Sequence, residues 1–459
     1  MKNPFLAPEL REIIEKNDEK ALQQFCASLH PASVAEFLGA LSSGEIWHVL
    51  NLLEPRLRAE IFGALDEDIQ VELAESLKRQ DLARIVDNMS ADERVDLLKR
   101  LPEDKQETLM PALAQAERED IRRLFSYAEG TAGAVMTSDY ATLSPDQTVQ
   151  EALAKLRREA PDKETIYYSY VVDSKRRLIG FLSLKDLIIA RPEKRIEDLM
   201  HRDLIYALVT DDQEDAARKI AKYDLIALPV VNSNKVLVGI ITHDDAIDII
   251  NQEHTEDMEK FMAIAGSHEA GTYLKTSSWG HFKNRWVWLV ALAALGMVSG
   301  YIVQSFEGLL LQFAILATFM PMLADTGGNT GSQSATLVVR ALALREISPR
   351  DIVRVIWKEF KVGFPMAILL AGLAFGRVVF FAGGSSRPAG YSLPTIGLAV
   401  GAALGLQVLT STLIGALLPL AAAKLKFDPA VVASPALTTI VDITGLLIFF
   451  TTAKFLLRI

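Results

Sequence analysis

Residues 324–336 read ADTGGNTGSQSAT, a polar segment with three glycines and neither Lys nor Arg. It directly follows the apolar run LLLQFAILATFMPML of residues 309–323, whose composition is typical of a membrane span. Polar groups are costly in lipid unless they meet protein or water. The segment is therefore consistent with three arrangements: a polar loop, a packing seam between helices, or the lining of a water-filled path.

Five segments around this stretch are long and apolar enough to cross a membrane, which takes about 20 residues. They are 286–306, a second segment that begins at Leu309 and runs into the polar stretch, 360–381, 394–423 and 429–457. The fourth is dense in Gly and Ala, which permits close packing of helices in lipid. These segments predict a five-helix transmembrane domain over residues 281–459, embedded in the lipid bilayer.

Basic residues are distributed unevenly among the links between these spans. The rich links carry Lys275, Lys283 and Arg285, then Arg340, Arg345, Arg350, Arg354, Lys358 and Lys361, then Lys424 and Lys426. The other two links carry none and Arg387 alone. By the positive-inside rule, the N-terminus is expected in the cytoplasm and the C-terminus outside. The opening MKNPFLAPELREII has no apolar stretch of a signal peptide, which agrees with a cytoplasmic first half.

Two carboxylates fall inside or at the end of the apolar segments. Asp325 ends the apolar run of the second span, and Asp442 lies in the middle of the fifth. A charge at that depth costs about 2.5–3.5 kcal/mol on insertion scales. No Lys or Arg lies deep enough to pair with Asp442, so this residue indicates a water-filled cation path, with a buried, protonated structural Asp as the alternative.

Charge divides the chain in the same place as hydropathy. Residues 286–459 carry 12 Lys/Arg and 7 Asp/Glu, whereas the preceding residues carry 36 and 51, a net charge of −15. Such an acidic half argues against nucleic acid as a partner and is compatible with cation binding or with a solvated acidic surface. The single cysteine, Cys26, excludes a disulfide framework and a multi-cysteine metal site.

Two regions precede the spans. Residues 1–130 repeat short units with Pro or Asp at the start and Leu at helical spacing, which predicts an acidic, superhelical all-α domain or scaffold. Residues 131–250 hold a duplication, in which YVVDSKRRLIGFLSLKDL aligns with PVVNSNKVLVGIITHDDA at a spacing of 59 residues. Each copy predicts a helix, two strands and a second helix.

This duplication resembles a tandem pair of cystathionine-β-synthase-type (CBS) modules, an α/β fold. Both copies contain the pattern of Gly, two apolar residues, Ser or Thr, and a later Asp, as GFLSLKD and GIITHDD. In that family the hydroxyl and carboxylate can hold the ribose of an adenine nucleotide. The resemblance implies ATP as a possible ligand of Ser183, Asp186, Thr242 and Asp245, although many such modules bind no nucleotide.

A carboxylate-rich helix follows the second module. Spacings of three and four residues place Asp245 and Asp248, then Glu253, Glu256 and Asp257, on neighbouring patches of it. Like charges at this spacing repel unless cations intervene. Other domains could supply an opposing acidic face from Asp92, Asp96, Glu214 and Asp224. A loose, water-bridged arrangement of carboxylates suits Mg²⁺, which retains several of its waters.

The order of these regions, together with PMLADTGGNTGSQSATLVVRAL and the later DPA and SPALTTIVDITG, strongly resembles the MgtE family of magnesium channels. The resemblance implies a homodimer in the inner membrane with its pore on the dimer axis. It implies that Asp442 binds hydrated Mg²⁺ and that Asn329 lies near the pore, with Gly328 and Asp325 beside it. It also implies a connecting plug helix within residues 246–280, and a regulatory Mg²⁺ sensor made of the nine carboxylates from Asp92 to Asp257 named above.

The functional hypothesis is a Mg²⁺-selective channel that cytoplasmic Mg²⁺ closes, with no further protein partner. The alternatives are a secondary transporter coupled to Na⁺ or H⁺, in which Asp325 and Asp442 carry the proton, and a membrane sensor without transport. An enzyme is not expected, because the seven histidines precede the spans and show no metalloenzyme spacing.

Overall fold

The computed structural model describes residues 7–16, 18–262, 264, 277–381, 390–432 and 435–459. The chain forms two compact units, one up to Ile250 and one from Asn251 onward. The first unit contains a helical array and a pair of α/β modules, and the second is helical in its described part.

Ten short helices form the array. They are α1 (Ala7–Glu15), α2 (Glu19–Ser28), α3 (Pro31–Leu38), α4 (Ser43–Asn51), α5 (Pro55–Gly63), α6 (Glu67–Ser76), α7 (Arg79–Val86), α8 (Ala91–Arg100), α9 (Glu103–Leu109) and α10 (Gln115–Phe125). Each begins 12 residues after the preceding one. The sequence predicted an array of short helices but not this fixed period.

The fourth residue of each helix explains how the repeat is held together. In α1 to α4 it is an aliphatic residue that is almost fully buried. In α5, α6, α8 and α9 it is instead Arg58, Gln70, Arg94 or Gln106, whose side chain donates to carbonyl oxygens at or just after the end of the preceding helix. The last carbonyls of a helix lack partners within that helix, so these four helices each cap the end of the one before.

The α/β modules follow. The first consists of β1 (Tyr140–Leu143), α11 (Val149–Glu159), β2 (Thr165–Val172), β3 (Leu178–Ser183) and α12 (Leu184–Ile189), and the second of β4 (Ala207–Leu208), α13 (Gln213–Tyr223), β5 (Ala227–Val231), β6 (Leu237–Thr242) and α14 (His243–Phe261). In each sheet the first strand pairs parallel to the second, and the second antiparallel to the third. The prediction omitted β1 and β4, which are too short for a periodic signal.

Each module packs against the segment that leads into the other. A Cβ atom on Gly180 of β3 would lie 2.7 Å from the sulfur of Met200, which precedes the second module. A Cβ atom on Gly239 of β6 would lie 2.5 Å from the sulfur of Met136, which precedes the first. Glycine is required at both positions because the segment leading into one module packs on the last strand of the other.

The second unit is built from helices. They are α15 (Ser278–Ser305), α16 (Glu307–Gln312), α17 (Ala314–Ala317), α18 (Met320–Ala343), α19 (Ile352–Phe381), α20 (Leu393–Lys424), α21 (Pro429–Val432) and α22 (Pro435–Leu457). Helix α20 packs against α18, α19 and α22, and α18 also packs against α22. The final turns of α14 belong to this unit, whereas residues 265–276 of the predicted connecting helix lie outside the described residues.

Four stretches of the described residues are long and apolar enough to cross a membrane: Ser278–Ser305, Pro349–Phe381, Leu393–Lys424 and Ala436–Leu457. They overlap four of the five predicted spans, although the last begins at Ala436 and not at residue 429. The second predicted span is not one apolar helix from Leu309, since the chain breaks into α16, α17 and α18 there. The polar segment 324–336 lies inside α18, so it neither ends a helix nor forms a loop.

Candidate ion pathway and carboxylate clusters

Helix α18 has a glycine face that packs against its neighbours. A Cβ atom on Gly331 would lie 3.3 Å from the carbonyl oxygen of Ser411 in α20 and 3.3 Å from Val441 in α22. A Cβ atom on Gly415 of α20 would lie only 2.2 Å from the carbonyl oxygen of Gly331. Small residues at this crossing bring the three helices together, as in other tightly packed membrane helices. This face of the polar segment is a packing seam.

The opposite face of α18 is polar and exposed. Asp325, Asn329, Gln333 and Thr336 follow one another at helical spacing, and all four are accessible in the single chain. The Nδ2 atom of Asn329 donates to Oδ1 of Asp325 over 3.0 Å. A polar stripe on a helix within a membrane domain needs water or protein beside it, because lipid offers no hydrogen bonds.

The hydroxyl groups of this segment are arranged differently from the amide and the carboxylate. Those of Thr326, Thr330 and Thr336 donate to the carbonyl oxygen four residues earlier in α18, over 2.6–2.8 Å. Their protons are therefore used within the helix. These three hydroxyls can therefore only accept further hydrogen bonds, whereas the exposed Asp325 and Asn329 present a carboxylate and an amide.

Asp442 lies in the middle of α22, the helix that packs against α18. Its side chain is half-buried, and its Oδ1 atom is buried without a hydrogen-bond partner among the described residues. A buried carboxylate oxygen without a donor is costly, since removal from water is not compensated. The atom is therefore suited to a water molecule or a hydrated cation, which are the partners that the predicted role of Asp442 requires.

The end of α14 contacts the helices of the second unit close to this residue. Phe261 packs against the buried cluster that Ala335 of α18 forms with Leu437 and Val441 of α22. Val441 is adjacent to Asp442 in the chain. The end of α14 thus packs on a cluster that includes the chain neighbour of the candidate ion-binding carboxylate.

Three charged residues fasten the same turn of α14. The ammonium of Lys260 lies 2.6 Å from Oε1 of Glu256 and 3.2 Å from Oδ2 of Asp428, which precedes α21. Burial alone would lower the pKa of Lys260, but the hydrogen bonds to both carboxylates outweigh it and raise the pKa. Burial, followed by the charge of Asp428, raises the pKa of Asp257. One carboxylate of α14 and one beside α21 thus share a single ammonium.

A second group of acids lies in the first unit. It consists of Asp92 and Glu93 at the start of α8, Glu164 before β2, and Asp244 and Asp245 at the start of α14. Partial desolvation raises the pKa of Glu164 to about 8, and the charges of the other four act in the same direction. Glu93 and Glu164 remain accessible to solvent, so desolvation is incomplete there. We call these five residues the acid cluster of the first unit.

Asp92 and Asp245 lie close enough within this cluster for the charge of Asp92 to act on Asp245. Burial and then the charge of Asp92 raise the pKa of Asp245 to about 7, and burial raises that of Asp92. The Oδ1 atom of Asp92 has no hydrogen-bond partner among the described residues. Two predicted sensor carboxylates are therefore brought together, at a place where both resist ionisation unless a positive charge joins them.

The other predicted sensor residues are dispersed. Asp96 is exposed on α8 with Lys99 3.9 Å away, Glu214 pairs with Arg218, and Asp224 ends α13 in a left-handed conformation with φ of 53°. Asp248 is exposed on α14, and burial followed by the charge of Asp244 raises its pKa. Glu253 is half-buried on α14.

These carboxylates do not form a ready-made metal cage. Among the described residues, no three His, Cys, Asp or Glu side chains are arranged to hold one ion. Mg²⁺ at these sites would retain much of its water shell, as it commonly does in proteins. The regulatory role of the nine residues stays a prediction.

The predicted nucleotide-binding pairs form helix caps. Ser183 and Asp186 form a reciprocal capping box at the start of α12, with their side chains 2.6 Å apart. The hydroxyl of Thr242 likewise donates to Asp245 at the start of α14. A nucleotide ribose would have to replace or extend these bonds.

Several residues of these acidic groups were not predicted from the sequence. Glu164 stands alone in the sequence between Lys163 and Thr165, so no pattern linked it to distant acids. Asp428 was part of a quoted motif but was given no role. Lys260 follows the acids of α14 at a spacing of four from Glu256, which is the signal that could have identified their ion pair.

Known proteins match this arrangement along almost the whole chain. The profile described as MgtE intracellular N domain matches residues 29–130, the CBS domain profile matches 132–193 and 196–252, and the MgtE profile described as divalent cation transporter matches 320–452. The magnesium transporter MgtE of Thermus thermophilus is 38% identical over 459 residues, 99% of each chain. The chain belongs to the MgtE family of magnesium transporters.

Other MgtE relatives agree. The magnesium transporter MgtE of Enterococcus faecalis is 34% identical over 98% of this chain and 96% of its own. A crystal structure of the soluble part of a magnesium transporter superposes with a TM-score of 0.51 at 33% identity, covering 53% of this chain and 96% of that one. The predicted helical domain, CBS pair and apolar helical region are confirmed, and as an MgtE the protein is a membrane transporter of Mg²⁺ and not an enzyme.

Proposed function

We propose that the protein is a Mg²⁺-selective channel of the cytoplasmic (inner) membrane, with an ion path along the polar face of α18 and past Asp442. The observation that carries this proposal is the buried Oδ1 atom of Asp442, which has no hydrogen-bond partner among the described residues. It lies on a helix packed against α18, whose Asp325 and Asn329 are exposed although they belong to a membrane domain.

A second copy of the chain would complete the path. The exposed polar stripe of α18 cannot face lipid at acceptable cost, whereas two such stripes facing each other would enclose a column of water. The proposal is therefore a homodimer with the path on its axis. The basic links orient it with the N-terminus in the cytoplasm and the C-terminus outside, which requires five crossings, the second being made by α16 to α18.

Selection in this path would act on the hydrated ion. Mg²⁺ gives up water reluctantly, and single carboxylates or amides suit contact through its water shell. Asp442 supplies the charge, Asn329 and Asp325 supply further oxygens, and Gly328 lets the neighbouring helix approach, since a Cβ there would lie 3.2 Å from Thr438.

Closure would depend on the position of α14. Its last turn is seated on α18 and α22 by Phe261 and tied to Asp428 by Lys260. Acting as a plug, it would block the path as long as it stays seated. Displacement of this turn would free the surface beside Asp442.

Cytoplasmic Mg²⁺ would favour the closed state through the carboxylates. Asp92, Asp245 and the other acids of the acid cluster of the first unit repel one another when ionised, and a divalent cation between them would remove that repulsion. An ion that binds the compact arrangement more tightly than the loosened one shifts the population toward it. Asp96, Glu214, Asp224, Asp248, Glu253, Glu256 and Asp257 would extend this response along the cytosolic regions and the plug.

ATP would bind at the CBS modules as a modulator. Ser183 with Asp186 and Thr242 with Asp245 present a hydroxyl and a carboxylate side by side, which is the combination that a ribose diol requires. Because Asp245 also belongs to the acid cluster, ATP and Mg²⁺ would influence each other there. Calorimetric titration of ATP into the wild type and Asp186→Asn, with and without Mg²⁺, tests this part.

Flux of Mg²⁺ in liposomes that contain only this purified chain tests the main proposal. Uptake down the Mg²⁺ gradient should need no other ion gradient, and Mg²⁺ on the cytoplasmic face should stop it. A requirement for a Na⁺ or H⁺ gradient would replace the channel with the coupled transporter. Absence of any flux from correctly inserted protein would contradict both.

A further inference from the structure

Gln407 is a buried polar residue in the middle of α20 that the pathway described above does not use. Its side chain is 1% exposed. Helix α20 packs on both α18 and α22, which carry the candidate pore residues. A buried amide in a membrane helix is costly unless its hydrogen-bonding groups are satisfied, so its role requires an explanation.

The hydrogen bond of the amide joins two helices. Nε2 of Gln407 donates to the carbonyl oxygen of Leu323 in α18 over 2.8 Å, in a buried environment. Only the nitrogen can donate to a carbonyl oxygen, so this contact fixes the orientation of the amide. The Oε1 atom then has no hydrogen-bond partner among the described residues.

Two glycines make room for this side chain. A Cβ atom on Gly327 of α18 would lie 2.2 Å from Nε2 of Gln407, and one on Gly445 of α22 would lie 2.7 Å from the same nitrogen. Neither position could hold a larger residue with the amide in place. The amide is thus clamped between α18 on one side and α22 on the other.

Both contacts lie beside the candidate pore residues. Gly327 stands midway between Asp325 and Asn329 in α18, and Gly445 lies three residues, about one turn, after Asp442 in α22. The separation of α18 and α22 at this level, and the rotation of each helix, are therefore set where the amide is clamped.

We propose that Gln407 is a positioning residue for ion selectivity: its amide fixes α18 against α22 so that Asn329 and Asp442 are presented at a defined distance to the hydrated ion. It touches neither the ion nor its waters in this proposal. The inference rests on the proposed pore at Asp442 and deepens it by naming what sets the pore's geometry.

Packing alone is a poor explanation of a glutamine here. An apolar side chain of similar length would fill the same space without leaving Oε1 unpaired, and that unpaired acceptor carries a desolvation cost. What the amide adds is one directional bond to Leu323. Such a bond specifies a single spacing and rotation of α18, which dispersion contacts between smooth surfaces do not.

The test is the ratio of Mg²⁺ uptake to Co²⁺ and to Ca²⁺ uptake in liposomes with wild type, Gln407→Met and Gln407→Glu. Methionine keeps length and volume but cannot donate. We expect the Mg²⁺ preference of Gln407→Met to fall about three- to tenfold, the range that one hydrogen bond contributes. Thr412→Val is the matched control, since this buried α20 hydroxyl donates only within its own helix, to Val408; its ratio should equal that of the wild type.

Gln407→Glu distinguishes positioning from simple loss of fit. An ionised glutamate cannot donate to Leu323, whereas a protonated one can. Its selectivity, normalised to the wild type at each pH, should therefore recover as the pH is lowered, whereas that of Gln407→Met should not. Size-exclusion chromatography and thermal unfolding of each variant report folding separately.

Three results bear on the outcome. Wild-type selectivity ratios in folded Gln407→Met would overturn the proposal, as would an equal loss of uptake for all three ions. If Gln407→Met does not fold, the test rests on Gln407→Glu. A selectivity ratio of this variant, relative to the wild type, that does not recover as the pH is lowered would overturn the proposal. An error in the proposed pore would be seen in a different variant, since Asp442→Ala would then take up Mg²⁺ normally.

Discussion

The carboxylates of the two units are arranged in opposite ways. Asp442 stands alone on an apolar helix, with one oxygen that has no hydrogen-bond partner among the described residues. In the first unit, Asp92 lies close enough to Glu164 and to Asp245 to raise the pKa of both. A single charge can attract an ion without holding it tightly, which suits passage. A group of repelling charges gains most when a divalent cation joins it, which suits detection of a concentration.

The largest expected effect is on passage. Asp442→Asn removes the only acid of α22 while keeping its shape, so Mg²⁺ uptake into liposomes should fall to that of protein-free vesicles at every cytoplasmic Mg²⁺ concentration. Glu346→Gln, which neutralises an exposed acid of the same unit, is the control and should transport like the wild type. Undiminished uptake by Asp442→Asn would remove this residue from the path.

The next largest effect is on the inhibition of uptake by cytoplasmic Mg²⁺. Asp245→Asn combined with Asp248→Asn removes two carboxylates from α14, one of them in the acid cluster. A cation that bridges these acids is therefore bound less tightly. The cytoplasmic Mg²⁺ concentration that halves uptake should rise about tenfold, equivalent to about 1.4 kcal/mol, with little change in uptake at low Mg²⁺. The measurement is uptake against cytoplasmic Mg²⁺ in oriented vesicles.

The matched control changes charge by the same amount in the same module pair. Glu193 and Asp198 are exposed and take no part in the interactions that shift the pKa values of the cluster. Their double amide variant should keep the wild-type inhibition curve. If both double variants shift the curve equally, net charge and not the cluster governs closure.

Proton release gives a third test. The folded pKa values of Asp245 and Glu164, about 7 and about 8, exceed their ordinary values of 3.8 and 4.5. Their contribution to folding stability is therefore complete below those ordinary values, decreases as the pH rises above them and is lost once the pH passes 7 to 8. Without divalent ions, the thermal stability of the first unit should fall between about pH 4 and about pH 8.

Mg²⁺ should reverse this trend, because it binds the ionised carboxylates. Its affinity should rise between pH 6 and pH 8, and binding near pH 7 should release protons. Calorimetry in two buffers of different ionisation enthalpy counts the released protons. A count that stays the same in Asp245→Asn would show that another group titrates.

The smallest effect concerns Lys260, which supplies the last turn of α14 with a positive charge of its own. Lys260→Met leaves Glu256 and Asp428 facing each other without that charge, so closure should depend more steeply on Mg²⁺ and uptake at low Mg²⁺ should increase up to about fivefold. Partly exposed ion pairs contribute about 1 kcal/mol or less, which sets this limit. Uptake at low Mg²⁺ equal to that of the wild type would show that Phe261 alone seats the helix.

The sequence predicted much of the fold because repetition carries long-range information. The alignment of Val171 with Val230 and of Gly180 with Gly239 is reproduced in the sheets, where each valine pairs with the corresponding glycine. Four spans followed from length and apolarity alone. Strand β4, with two residues, and the break of the second span at Phe313 had no comparable signal.

The site was less predictable because it depends on side chains far apart in the sequence. Glu164 joins Asp92 and Asp245 only after three elements fold together, and Gln407 meets Leu323 across 84 residues. From the sequence, the polar segment 324–336 was compatible with a loop, a packing seam or the lining of a water-filled path. It has two faces instead, with Gly327 and Gly331 against other helices and Asp325 and Asn329 outward, and a period of 3.6 residues read from Asp325 would have separated them.

One measurement separates the role of Asp442 in Mg²⁺ passage from the role of the acid cluster in closure by cytoplasmic Mg²⁺. Mg²⁺ uptake is recorded at low and at high cytoplasmic Mg²⁺ for the wild type, for Asp442→Asn and for Asp245→Asn with Asp248→Asn, in liposomes that contain only this chain. The wild type should take up Mg²⁺ only at low cytoplasmic Mg²⁺. Asp442→Asn should take up none at either concentration, and the double variant should take up Mg²⁺ at both. Uptake by Asp442→Asn, or closure of the double variant at the wild-type Mg²⁺ concentration, would contradict these roles.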